Sequence, residues 1–162
     1  MTGQTGLTVD VVMEGGDWDG LLSDDDISAA AAAVANRLEC SGELALALGD
    51  DAMLRKLNAD FRGKDEPTNV LSFPSGEEGF LGDIAISAET LAREAAEQAK
   101  QPRHHAVHLL VHGILHLLDY DHDTNERAEE MEALERLILE NLGIADPYAD
   151  EPLAVEAGHD AT

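Results

Sequence analysis

The sequence predicts an α+β fold, a small mixed four-stranded sheet packed with about five helices. Three observations carry that expectation. Short runs with strand character come early in the chain, whereas the long helical runs crowd its second half. The length, 162 residues, suits one compact domain with a sizeable core and would be a squeeze for two. Apolar residues make up 44% of the chain and charged residues 27%, a balance outside the disordered class.

Leu7 to Met13 reads as the first strand, followed by a loop rich in Gly and Asp. Ser23 is expected to cap the alanine-rich helix Ile27 to Leu38, with Asp24, Asp25 and Asp26 placing negative charge in its first turn. Glu43 to Leu48 alternates with a period of two, a strand signal. Asp50 can cap a short helix, Asp51 to Ala59. Asn69 to Phe73 is a β-like run that Pro74 is expected to close, and Ser75 to Gly79 reads as a turn. A strand over Leu81 to Ile86 leads to Ser87, the expected cap of a helix from Ala88 to Lys100. Pro102 is expected to separate that helix from the next, Arg103 to Leu118. Asp123 and Glu126 resemble a capping box opening a last helix, which runs to Leu142 and stops at Gly143. Residues 1–145 thus form one expected domain, and 146–162 an acidic, aperiodic tail expected to be mobile.

Charge narrows the function. Asp and Glu number 34 against 10 Lys and Arg, a net charge of -24. Such a surface does not grip nucleic acid by charge alone. The imbalance is uneven, however: residues 55–103 carry seven basic and nine acidic residues, and the remaining 113 carry three and 25. Cys40 is the single cysteine, which excludes an internal disulfide and a Cys-cluster metal site. With no secretory leader and no apolar run of about 20 residues, a soluble cytoplasmic protein without a membrane partner is expected.

The most informative segment runs from His108 to His122. His112 and His116 stand four apart, so on a helix both imidazoles leave one face, one turn apart, and can meet one metal ion. His122 follows six residues later, and a chain reversal near Asp119-Tyr120 would bring it up as a third ligand. A fourth position would stay open to water, as catalysis requires. The spacing is that of the H-E-x-x-H-x-x-G-x-x-H zinc proteases, which suggests a zincin-like metal helix. Gly113 replaces their general-base Glu, and Asp119 replaces their turning Gly. His104, His105 and His108 extend the same stripe, but 12 residues of helix span about 18 Å, too far to share one ion. These three are expected at the surface or in packing. His159 is expected to be incidental.

A second constellation, Asp60 to Phe73 (DFRGKDEPTNVLSF), brings Arg62 and Lys64 together. An arginine near a metal can hold a phosphate oxygen and oppose developing charge, or it can simply pair with Asp60 or Asp65. Together, FRGKDEPTNVLSFP, LGDIAIS and HGILHLLDYDH resemble the YbeY family of bacterial endoribonucleases, which mature rRNA. The likeness runs from about Asp50 to Tyr148, including MEALE and the closing DPY, and is weak over the first 45 residues. It implies one zinc ion on His112, His116 and His122, a functional arginine at Arg62, and rRNA of the small ribosomal subunit as partner. Protein partners on the ribosome would offset the acidic surface. The family motif has Gly where this chain has Asp119, so Asp119 is expected in the left-handed conformation.

The expected activity is metal-dependent endoribonuclease cleavage of single-stranded RNA, in 16S 3′ end processing and ribosome quality control. Asp83 is a weak candidate for the base or for orienting a histidine. Two rivals remain at this level: a zincin-like metallopeptidase, and a non-enzymatic ribosome assembly factor with a structural metal.

Overall fold

A computed structural model describes residues 6–144. The tail expected to be mobile and the DPY triplet lie outside those residues. The order of elements is β1 (Gly6–Met13), α1 (Asp24–Leu38), β2 (Ser41–Gly49), α2 (Asp51–Arg62), β3 (Val70–Glu77), β4 (Phe80–Ser87), α3 (Ala88–Glu97), α4 (Pro102–Leu117) and α5 (Asn125–Asn141). Five helices pack with one four-stranded sheet of order β1-β2-β4-β3. β1 and β4 run parallel to β2, and β3 runs antiparallel to β4, so the sheet is mixed as expected.

Local chemistry sets the helix starts. Ser23 accepts from the Asp26 amide while Asp26 reaches back to the Ser23 amide, a complete capping box. Asp50 and Ser87 accept from Met53 and Thr90 and open α2 and α3 in the same way. The cap of α5 is Thr124, not Asp123: its Oγ1 accepts from the Arg127 amide, while Asp123 turns aside to pair with Arg127. Pro102 occupies the first turn of α4, where its missing N–H costs nothing. α3 ends at Glu97 rather than Lys100, because Ala99 turns the chain at φ 56°.

Strand limits follow pairing instead. β2 starts at Ser41, two residues before its alternation begins, because its parallel register with β1 starts there. β3 does not stop at Pro74 but continues to Glu77, with a register shift after the proline. It is an edge strand, where a residue without an N–H can be tolerated.

The sheet has two covered faces. Leu44, Leu46, Leu48, Ile84 and Ile86 join the larger core beneath α1, α3, α4 and α5. Leu71 and Ala85 meet Leu54 of α2 on the other face. α4 is the central helix of the larger layer, and Leu110, Ile114 and Leu115 on it are fully buried. Truncating any of them to alanine should cost about 2–5 kcal/mol. Its fixed position follows from that burial, and with it the position of every side chain on its exposed strip. No described helix is long and apolar enough to cross a membrane.

Candidate metal centre

His112 and His116 leave α4 together in its last turns, with ring centroids 4.6 Å apart and Nε2 atoms 3.1 Å apart. The helix then ends in a reversal. The amides of Leu118, Asp119 and Tyr120 donate back to the carbonyls of Ile114, His116 and Leu115. Asp119 takes φ 77°, the left-handed conformation expected of it. Arg127 fastens the reversal from α5 by donating from Nη2 to the Asp119 carbonyl at 2.8 Å. His122 comes back over the helix end, its ring 5.8 Å from that of His112 and 5.3 Å from that of His116. One nitrogen from each of the three lies within 4.8 Å of the other two. Nitrogens sharing one ion tetrahedrally at about 2.0–2.1 Å lie about 3.4 Å apart, so small ring rotations close this set on a metal.

Protonation fits the same purpose. Glu135 of α5 is wholly buried and accepts from His112 Nδ1 at 2.6 Å and His108 Nε2 at 3.0 Å. Burial alone would raise the Glu135 pKa, but the two histidine bonds outweigh it and hold the carboxyl below its usual range. An ionised carboxylate only accepts, so the His112 nitrogen that meets Glu135, Nδ1, donates a proton to it, and Nε2 is the nitrogen turned to His116. Burial, then the charges of His112 and His122, push His116 down to about 4, which keeps it neutral at physiological pH. Two facing ring nitrogens 3.1 Å apart need a proton or a cation between them. The donor set therefore fits a divalent metal, with Glu135 as the outer partner that orients one ligand.

The other histidines of the stripe pack. His105 is buried with Nε2 against Glu94, which also accepts from Asn69, and His108 is held by Glu135. Gly113 packs against the sheet: a Cβ there would come within 3.1 Å of Ile84 Cγ2 and 3.2 Å of Ser72 Oγ. A side chain in the protease position would need Ile84 or Ser72 to give by a few tenths of an ångström.

Asp83 does not serve the histidines. Gly82 and Ile84 of β4 touch α4, so Asp83 between them is exposed on the opposite face of the sheet. Arg62 ends α2 on that same opposite side, exposed, and no hydrogen bond or ion pair joins it to the histidines among the described residues. Its neighbour Phe61 is 67% exposed and packs on Phe73 of β3 with centroids 5.2 Å apart. Ser72 of the same edge strand donates to the Gly113 carbonyl. Arg62 and the histidines thus belong to elements that meet at β3 from its two faces. Asp60 and Asp65, the carboxylates that could have paired with Arg62, pair instead with Lys56 and Arg55.

Residues 23–143 match the family model described as Endoribonuclease YbeY. The chain belongs to that family. Curated relatives agree: Endoribonuclease YbeY of Parvibaculum lavamentivorans is 48% identical over 91% of this chain and 89% of its own. The protein of that name from Chelativorans sp. is 49% identical over 88% of this chain and 94% of its own. A solution structure of TM1509 from Thermotoga maritima superposes with a TM-score of 0.59, at 24% identity, over 90% of this chain and 98% of its own. At that identity the likeness speaks for the fold alone. The YbeY match begins at the cap of α1 and so leaves β1 outside it.

Glu135 and Arg127 are the two residues whose roles sequence reasoning missed. Glu135 sits among Met131, Ile138 and Leu139 on the buried face of α5, and a carboxylate on an apolar stripe is the signal that marks it.

Proposed function

We propose that the chain is a metal-dependent endoribonuclease acting on single-stranded RNA. Its place would be in the cytoplasm, in maturation of the 16S 3′ end and in ribosome quality control. In this reading α4 is a zincin-like metal helix, and His112, His116 and His122 hold one zinc ion. The observation that carries it is the convergence of three imidazole nitrogens within 4.8 Å, one of them oriented by a buried carboxylate. Family membership supplies the reaction class.

Three neutral imidazoles favour zinc over magnesium or calcium, with nickel and copper as competitors. When bound, such an ion supplies Lewis acidity toward water and a phosphoryl oxygen. The residues of the chain do the rest. Glu135 keeps the His112 proton on Nδ1, and the Asp119 reversal sets the angle at which His122 approaches. Arg62 holds a non-bridging oxygen of the scissile phosphate and opposes its extra charge. The exposed ring of Phe61 beside it offers a face to an unstacked base. Peptidase chemistry is disfavoured because residue 113 is a glycine and lacks the carboxylate such enzymes use. A net charge of -24 makes naked RNA a poor ligand, so docking on proteins of the small ribosomal subunit would bring enzyme and rRNA together.

The test pairs elemental analysis of the tag-free protein with cleavage of a fluorescent single-stranded RNA. One zinc per chain and cleavage in wild type, both lost in a folded His116→Ala variant, is the expected result. A wild-type protein that takes up no metal after zinc loading would refute the reading.

A further inference from the structure

The sheet edge opposite the histidines is open. β1 pairs with β2 on one side, and among the described residues no strand pairs with its other side. Gly6 and Glu14 donate their amides toward β2, so the even positions between them face inward and Leu7, Val9, Val11 and Met13 present N–H and C=O outward. Val11, Val12 and Met13 are 37%, 45% and 62% exposed. Between this edge and α1 runs a groove of about 410 Å³, lined by Leu7, Val9, Val11, Ile27 and Ala31, with Asp24 at its rim. Long apolar edges are normally blunted by lysine, proline or a cover. Among the described residues no lysine, proline or cover protects β1, and Asp10 is its one charge.

Charge selects the occupant. Residues 6–36 contain seven Asp and Glu and no Lys or Arg. Asp26 alone of the seven is matched by a cation, Arg103. A second copy of this chain would bring the same seven negative charges to the contact. The C-terminal residues 145–162 bring five more acidic residues and no Lys or Arg, and RNA brings phosphates. We infer that β1 accepts an extended segment of a basic partner protein as a fifth strand, with its alternate apolar side chains in the α1 groove and its Lys or Arg side chains on the opposite face of the sheet, where alternation places the exposed Asp10. The β1 side of this surface lies outside the matched family region and the α1 side within it, and the inference does not depend on the nuclease reading.

The probe is a capped heptapeptide of alternating Lys and Val, added to the full-length protein and followed by amide hydrogen exchange and calorimetry. Slowed exchange at Leu7, Val9, Val11 and Met13 is expected, with little change at Thr8, Asp10 and Val12, which already bond to β2. Affinity should fall about tenfold or more from low to high salt. Val11→Lys should weaken binding by a similar factor while circular dichroism stays unchanged, and Asp10→Asn should weaken it less. Absence of saturable binding, protection at other sites, or equal affinity for the Glu and Val counterpart would overturn the inference. So would concentration-dependent dimers, or single-stranded RNA, protecting the same four amides.

Discussion

The two ends of α4 put the same residue type to opposite uses. At its N-terminal end His105 is buried and His108 partly so, and each meets a carboxylate, Glu94 or Glu135. At its C-terminal end His116 meets other imidazoles instead, and His122 stands over it in the open. His112 belongs to both settings, with Nδ1 on Glu135 and Nε2 facing His116. A histidine whose neighbours are carboxylates alone is a packing element, and one turned toward other imidazoles is open to a metal. Neighbours, not spacing, decide between them.

The contrast can be broken most severely at the ligand end. His116→Ala should lower RNA cleavage by more than about 100-fold and abolish bound metal, with thermal stability nearly kept, as read by cleavage assay and elemental analysis. Arg62→Ala should cut kcat by about 10²–10³-fold and leave metal content untouched, while Arg62→Lys should restore little, because a lysine cannot form the planar fork. Loss of metal in either Arg62 variant would show that its role is structural. Glu135→Gln tests the residue shared by both ends. Metal affinity should fall by about 10–100-fold, measured by competition with a chromophoric chelator.

The packing end should respond in stability instead. Glu94 is half-buried, which raises its pKa, but bonds from His105 and Asn69 more than reverse this and leave it below 4.5. A carboxyl with a depressed folded pKa contributes stability above pH 4.5 and loses it as pH falls through the folded value. Acid unfolding below pH 4.5 should therefore be less steep in Glu94→Gln, with metal content unaffected. Asp119→Gly is the mildest change: it relieves a left-handed residue at the cost of a freer unfolded chain, so stability should rise by no more than about 1 kcal/mol. A loss of zinc in that variant would show that the Asp119 side chain, and not only its backbone, supports the centre.

Features fixed within a few residues were legible in the sequence. Ser23, Asp50 and Ser87 cap as expected because a cap needs only the amides of its own first turn. His112 and His116 share a face for the same local reason, and the conformation of Asp119 follows from its place between a helix end and His122. Features fixed by distant partners were not. The ends of β2 and β3 depend on pairing, so Pro74 failed as a stop. Asp83 lies one residue from a strand position that does touch α4, and that single step of parity carries it to the wrong face. Glu135 is hidden by its own type, since a glutamate on a helix ordinarily faces water.

The close seat of Gly113 against Ile84 and Ser72 also bears on how this scaffold can change over time. A single codon change at that position would be tried first as a fold and only afterwards as an enzyme, since Ile84 or Ser72 must give by a few tenths of an ångström before any new chemistry is sampled. The sheet thus sets the first condition on any side chain that arises beside His112.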